Sequence, residues 1–324
     1  MSVQFLRSCI LVVSDNAGNT EDLSLLRITF RVTHGTIQTP RKLVLKIWNP
    51  SPITINNAKS FYTSISLSIG YQKESSVLFE GKIQQIRDGQ ENPVDTFLEI
   101  IAVTGGMAYA EAVSSAVLPA GWSYNHAHSQ IVEDMAKKEK IGKGDFPSLT
   151  GSAPRPKIMY GMTRDHCRVL AHSTSAAWNI DDNGVSFYHI PDMVKPQSQN
   201  EEAIILSPKT GLIGVPVQTP DGVQATCLMN ARLKRNVLVQ IKDARTLDAQ
   251  ADVSYSAVNG GNQVMTNENG VERRSIIGTS PTGTYRIAYV DHEGDTRDNV
   301  WYSTICCIAV DVSAVQTQRT IGAF

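Results

Sequence analysis

No apolar run in the 324 residues approaches the ~20 that a membrane-spanning helix needs, so no membrane anchor of that kind is expected. The opening stretch MSVQFLRSCILVVSDNAGN carries one arginine and a short apolar run, without the longer hydrophobic region and small-residue cleavage site of a signal peptide. It reads as a first strand, and the expectation is an unprocessed chain made in a cytoplasm. Cysteine is scarce: Cys9, Cys167, Cys227, Cys306 and Cys307 are odd in number and form no CxxC. Adjacent Cys306 and Cys307 point to opposite faces of a strand, which excludes a shared tetrahedral metal or an ordinary disulfide between them. All five read as small core hydrophobes in a reducing compartment. Neither sign of charge dominates, with 30 basic and 31 acidic residues. The total gives no reason to expect nucleic-acid or membrane binding, although a basic face can hide in a neutral total. At 7% aromatics and with no export signal, a secreted lectin or adhesin with an aromatic-lined cleft is disfavoured.

Sequence signatures of chemistry are equally sparse. There is no G-x-S-x-G elbow, P-loop or dinucleotide fingerprint. His126 and His128 are two apart at a helix entry and point to different sides, and neither fits H-E-x-x-H. Cys167 neighbours His166, with His172 further along the same helix, but sequence neighbours on a helix do not face each other. A Cys–His nucleophile would need a histidine from elsewhere. The adjacent pairs Asp181–Asp182 and Glu201–Glu202 point apart and read as turn or solvated edge. The cluster His292, Glu293, Asp295, Arg297 and Asp298 is the best functional-looking patch, yet polar residues at a hairpin tip are what solvent demands. ARLKRN at 231–236 is a local basic cluster, and no aromatic–basic interleaving of an RNA-binding strand pair accompanies it. No residue is therefore assigned a catalytic, cofactor-binding or metal-ligating role, and no enzyme activity is expected.

What the chain has in quantity is strands. In LLRITFRVTH, Leu26, Ile28, Phe30 and Val32 fall on one side, with Arg27, Thr29, Arg31 and Thr33 on the other. KLVLKIW repeats the pattern with Leu43, Leu45 and Ile47, and SISLSIGY with Ile65, Leu67, Ile69 and Tyr71 opposite a serine face. Ser51 before Pro52 signals a short helix. VLFEGKIQQIR and DTFLEIIAV flank the loop DGQENP as a hairpin. Phe79 and Ile83 share a parity that Ile86 breaks, which predicts a bulge near Gln84–Gln85. Six strands and one helix in residues 1–104 predict a closed or nearly closed antiparallel barrel.

Residues 105–198 read as a small α+β domain. One helix carries Ala127, Ile131 and Met135, and a second spans about 163–175 with Thr163 as N-cap and Cys167, Leu170, Ala171 and Thr174 on one stripe. Asn183–Gly184 suits a type I′ hairpin turn, which places Ile180 opposite Phe187 and Trp178 opposite His189. Residues 199–324 return to strands, with a hairpin turning at Gly294–Asp295. Within them 246–283 is polar and irregular, an irregular hairpin or a flap that orders on a partner.

Several phrases resemble the baseplate hub proteins of tailed phages. They are LFEGKIQQIRDGQENPVDTFLEIIAVTGGMAYAEA, KIMYGMTRDHCRVLAHSTSAAWNIDDNGVSFYHI, LSPKTGLIGVPVQTPDGVQATCLMNARLKRN and YRIAYVDHEGDTRDNVWYST. Thr104–Gly105 stands where an acidic–glycine pair is usual, and Asp298 where a glycine is common, so both turns are altered. The resemblance implies a mainly β fold with an α+β insertion: two tail-tube-like antiparallel β-barrel domains plus a small α+β domain. It also implies a homotrimer that adapts a hexameric tail tube to a trimeric central spike. Expected partners are further copies of itself, the tail tube or tube-initiator protein, the spike, and the baseplate wedge and tape-measure proteins. DNA would pass only in transit through the lumen, with no membrane anchoring. The expected location is the virion tail baseplate of a contractile-tailed phage, after assembly in the host cytoplasm. The competing readings are a tail-tube-like or injection-machine ring protein, a hub with wall-degrading activity, and a β-rich binding module.

Overall fold

The structure, a computed structural model, describes residues 6–35, 40–71, 74–149, 151–189, 203–219, 222–242, 262–266, 272–276 and 283–310. The chain divides into two compact units. The first holds Phe5–Ile190 together with Glu293–Val300, and the second holds Pro191–His292 and Trp301–Phe324.

The first unit begins with β1 (Arg7–Asp15), β2 (Thr20–Asp22), β3 (Arg27–His34), β4 (Lys42–Trp48), α1 (Pro52–Ser60), β5 (Tyr62–Tyr71), β6 (Glu74–Gln90) and β7 (Thr96–Val103). These strands pair antiparallel in the order β3-β4-β7-β6-β5-β1-β2. The alternation read from the sequence is the alternation of burial. Ile28, Phe30, Val32, Leu43, Leu45, Ile47, Ile65, Leu67 and Ile69 are each at most 3% exposed. Burying a side chain of this size contributes roughly 1.5–3 kcal/mol, which outweighs the propensity of any single residue. α1 starts as expected: Ser51 accepts a hydrogen bond from the Thr54 N–H, with proline in the first turn. β6 pairs with β5 over Glu74–Lys82 and with β7 over Lys82–Gln90, so one strand serves two neighbours in succession. Its register with β7 shifts between Ile83 and Gln85, the bulge that the broken parity predicts.

The same unit continues with α2 (Gly106–Glu111), β8 (Val113–Leu118), β9 (Trp122–Ser123), α3 (Tyr124–Ala136), β10 (Ser152–Ala153), β11 (Lys157–Met162), α4 (Thr163–Ser173), β12 (Ala176–Asp181) and β13 (Gly184–His189). Ala127, Ile131, Met135, Cys167, Leu170, Trp178, Ile180, Val185 and Phe187 form one core here. Two expectations need correction. Met162, not Thr163, is the N-cap of α4, and Thr163 is buried in the first turn. The reason is tertiary: its N–H donates to Ala112 O and its hydroxyl pairs with Ser114 Oγ at 3.0 Å. The second correction is the register of the β12–β13 hairpin. Trp178 lies opposite Phe187 and Ile180 opposite Val185, with Asp181 opposite Gly184. The turn is therefore centred on Asp182–Asn183, one residue earlier than the type I′ reading. Gly184 supplies the positive φ, +122°, and a Cβ there would lie 1.8 Å from the carbonyl oxygen of Gly142. Close packing of 142–145 against β13, through Val185 N–H to Gly142 O and Phe187 N–H to Asp145 O, sets the register.

The second unit contains β14 (Ile204–Leu206), β15 (Leu212–Thr219), β16 (Gly222–Leu228), β17 (Leu238–Ile241), β18 (Asn262–Thr266), β19 (Glu272–Ile276), β20 (Gly283–Asp295, whose last three residues belong to the first unit) and β21 (Trp301–Ala309). The main sheet runs β15-β16-β21-β20, with β17 against β20 and β14 parallel to β17. Its core gathers Val223, Ala225, Val239, Tyr285, Ile287, Ile305 and Cys307. Within 246–283, β18 and β19 pair antiparallel, and apart from Gly283 at the start of β20 the rest of that segment lies outside the described residues. Gly294–Asp295 is not a turn but the end of β20, and the bend falls at 296–299. Asp295 causes the shift. Its Oδ1 accepts the N–H groups of Arg297 and Asp298, so the carboxylate closes the bend from the strand side.

The whole is a mainly β fold with an α+β insertion.

Candidate functional site

Among the residues with candidate chemistry, His128, Cys167, His292 and Asp295 are held in structural contacts. His126 is exposed, whereas His128 on the same helix is fully buried. The His128 ring bonds Val185 O at 2.7 Å through Nε2 and stacks on Phe146 at 4.7 Å. Burial pushes its pKa below the usual value, so it sits as a neutral imidazole. His172 is exposed and Cys167 is fully buried; burial pushes that thiol well up, the opposite of an activated nucleophile. Cys227 and Cys307 are likewise buried with raised pKa values. All five cysteines are free thiols. Glu201 and Glu202 lie outside the described residues. Among the described residues no group of three or more His, Cys, Asp or Glu is placed to hold a metal ion. No described helix is long and apolar enough to cross a membrane.

The polar cluster at 292–298 is split between two tasks. His292 is buried, bonding Ser303 Oγ at 2.7 Å and Leu233 O at 3.2 Å, and so ties β20 to β21 and to the loop before β17. Asp295 is gripped by Arg27, with Nη2 to Oδ2 at 2.7 Å. Burial alone raises the Asp295 carboxyl, but the Arg27 hydrogen bond and the N–H donors of Arg297 and Asp298 outweigh it and lower the pKa. In ARLKRN, Arg232 is exposed but Arg235 is only 4% exposed, so the run is no continuous basic surface.

Asp181 and Asp182 do point apart, and each meets a partner from the β3–β4 region. His34 Nε2 lies 3.0 Å from Asp181 Oδ1, and the Tyr188 hydroxyl donates to the other oxygen. Arg41 donates to both oxygens of Asp182. Asn179 Nδ2 reaches Gly35 O at 3.3 Å. These contacts fasten the β12–β13 hairpin to the end of the first sheet. The Thr104–Gly105 departure sits at the same seam: Thr104 N–H donates to Arg41 O, and Gly105 (φ +66°) opens α2 against Ile180. No local pattern marks this seam, since its partners are 63 to 147 residues apart in the chain.

Three outer faces of the first unit differ in character. β1 and β5 present Ser8, Ile10, Val12 and Ser14 beside Gly70, Ser68, Ser66 and Ser64. The β8–β11 ribbon carries exposed apolar residues on one face: Val117 beside Ile158, with Val113 and Tyr160 on the same side, 52–79% exposed. Across β3, β4, β7 and β6 the rows read Arg27–Trp48–Phe97–Gly89, Thr29–Lys46–Glu99–Arg87, Arg31–Val44–Ile101–Gln85 and Thr33–Lys42–Val103–Lys82. Trp48 and Phe97 lie 6.4 Å apart with Lys46 over both rings and Arg27 over Trp48. A basic face is thus concealed in the neutral total.

The fold is similar to that of several solved tail proteins. The 43 kDa tail protein of prophage MuSo2 from Shewanella oneidensis matches with a TM-score of 0.52 at 8% identity, over 96% of this chain and 99% of that one. The tail protein from Neisseria meningitidis MC58 matches with a TM-score of 0.52 at 8% identity, over 94% and 96%. The E. coli c3393 protein, a type VI secretion component with structural similarity to the T4 bacteriophage tail proteins gp27 and gp5, matches with a TM-score of 0.51 at 11% identity, over 91% and 76%. No family profile and no curated protein matches the sequence.

Proposed function

We propose that this chain is a structural baseplate hub of a phage tail, a homotrimer that adapts a hexameric tail tube to a trimeric central spike. The observation that carries the reading is the end-to-end match of fold with the MuSo2 tail protein, 96% of one chain against 99% of the other. The hub-like phrases of the sequence run through both units and support the same reading. Two β-rich bodies per subunit, one within 1–104 and one within 199–324, give a trimer six such bodies with which to meet a sixfold tube. The tube or tube-initiator protein on one side and the spike on the other are the proposed partners, with wedge and tape-measure proteins beside them. DNA passes through the lumen, and the protein carries out no reaction of its own. The sealing of Cys167, His128, His292 and Asp295 into structural contacts fits that role. A second reading, the corresponding ring of a type VI-like injection machine, is favoured by the match to c3393.

Size exclusion with light scattering tests the reading. The hub predicts a mass about three times 35.4 kDa, alone or on adding the spike protein. A hexamer favours the tube-like alternative, and a chain that stays monomeric with the spike present contradicts the hub.

A further inference from the structure

We propose that the exposed face of the β8–β11 ribbon is a docking site for an amphipathic helix of another protein, one that lays an apolar stripe on the ribbon and sets carboxylates against its ends. The inference goes beyond the hub reading and does not depend on it, since the site lies within the first unit and is complete in a single copy.

β8 and β11 are six residues each and pair antiparallel over their full length. Side chains along each strand alternate between two faces. On the inner face Leu118 and Met159 join the core that also holds Ile131 of α3 and Leu170 of α4. On the outer face Val117 pairs with Ile158, Ser115 with Tyr160 and Val113 with Met162. Val113, Val117, Ile158 and Tyr160 are each more than half exposed. Single exposed apolar residues are ordinary, but a contiguous patch marks an interaction surface. Apolar sheet faces are normally covered by a second layer, and among the described residues this one has none. The ribbon runs about 20 Å and is one helix wide, so a helix of roughly 13 residues covers it.

Charge indicates the partner's chemistry. Residues 112–124 and 151–164, which contain the ribbon and its flanks, hold Arg155, Lys157 and Arg164 and no carboxylate. Carboxylates on the neighbouring helices are already paired: Glu111 with Lys138, Asp134 with Lys137 and Asp165 with Arg168. Arg164 lies over the Tyr109 ring and Lys157 over Trp122, so both are placed on aromatic rings. Arg155 is exposed. Arg155 and Lys157 thus stand at the start of β11 and Arg164 just past its end, with apolar residues between them. An acidic amphipathic helix complements that arrangement.

A second copy fits it less well. Ribbon against ribbon would oppose three cations to three. Among the described residues α3 and α4 turn their apolar faces into the core, and Ile53 is the one large apolar side chain that α1 leaves exposed. A membrane surface favours exposed tryptophan anchors. Trp122 instead donates from Nε1 to Arg155 O and lies beneath Lys157.

Fluorescence anisotropy with the full-length chain tests the site. The probes are two stapled helices of the length above, each with leucine along one face, one carrying glutamate and the other lysine at the remaining positions. The glutamate helix is expected to bind, and the lysine helix to bind at least about tenfold more weakly. I158S/Y160S, shown to be folded by circular dichroism, is expected to weaken the glutamate helix at least about tenfold. R155E is expected to narrow the preference for glutamate over lysine. Should I158S/Y160S fail to fold, V117S makes the same test. Failure of both helices to bind would overturn the site, as would binding that I158S/Y160S leaves unchanged. Equal binding of the two helices would overturn the acidic partner. Wild-type binding to vesicles of phosphatidylcholine and phosphatidylglycerol that I158S/Y160S abolishes would identify a membrane as the occupant and overturn the helix. A fall in the mass of the assembly with I158S/Y160S, read by light scattering, would identify a second copy and likewise overturn it. Whether the wild-type chain is a trimer is read separately, so neither proposal's failure is mistaken for the other's.

Discussion

The buried guanidinium of Arg41 donates to both carboxylate oxygens of Asp182, 141 residues away in sequence, with Nη1 at 3.1 Å from Oδ2. The Arg41 side chain is 5% exposed and that of Asp182 is 31% exposed, so the two partners are not equivalent. Losing Asp182 leaves a buried cation without its counter-charge, whereas losing Arg41 leaves a carboxylate that water can reach. D182N is therefore expected to cost about 2–3 kcal/mol, discounted from the fully buried case for the exposure of Asp182, and more than R41M does. Urea unfolding of the two single variants and the double variant checks this, and equal costs for the two singles would contradict the asymmetry.

Gly184 predicts a second large effect. Alanine there would have to adopt φ near +122° and place a Cβ 1.8 Å from Gly142 O, which is backbone and has no rotamer to yield. G184A is expected to cost roughly 3 kcal/mol or more, while G121A, also at positive φ but with no atom near its Cβ, costs only the backbone term of about 1–2 kcal/mol. Thermal unfolding of the pair separates crowding from strain.

The buried histidine gives a pH dependence with a definite sign. Burial lowers the folded pKa of His128 below its ordinary 6.5, so the unfolded chain binds the proton more readily. Its contribution to stability is complete above about pH 6.5 and is lost as pH falls through the folded pKa. His166 is shifted in the same direction, also by burial. Unfolding free energy measured from pH 8 to pH 5 should decline below about 6.5, and H128Q should remove part of that decline. A flat profile in the wild type would contradict it.

The thiols differ in accessibility. Cys167, Cys227 and Cys307 are buried, and burial pushes all three pKa values up, Cys227 to about 12. Cys9 is half-buried and also raised to about 12. Labelling by a thiol reagent at neutral pH should therefore be slow at Cys9, Cys167, Cys227 and Cys307, with all five cysteines reacting in denaturant. Mass spectrometry of the labelled native protein gives the answer.

Much of the first sheet is legible in the sequence because its strands bury one face. Ile28, Phe30 and Val32 announce themselves by alternation, and the break of parity between Ile83 and Ile86 marks the bulge without any knowledge of the partner strand. The hairpin at 181–184 misleads for a physical reason. Asn183–Gly184 has the local chemistry of a type I′ turn, but a contact with Gly142, about forty residues upstream, selects the other register. Asp295 is similar: it looks like a hairpin tip and acts instead as the acceptor that closes the bend after it. The His34–Asp181 and Arg41–Asp182 contacts depend wholly on tertiary placement, and no spacing rule points to them. The basic face lies between these cases. Arg27, Arg31, Lys42 and Lys46 are visible as outward residues of two strands, but their union with Arg87 and Lys82 requires the pairing of β7 with β6.

The proposed hub is a threefold ring in which each subunit supplies two β-rich bodies. A cryo-electron microscopy reconstruction of the purified assembly, formed alone or with the spike protein, would show it. Three copies around a channel, six β-rich bodies in the ring, and residues from both 1–104 and 199–324 at the contacts between subunits are expected. Six copies in one ring, or contacts confined to a single region of the chain, would contradict it.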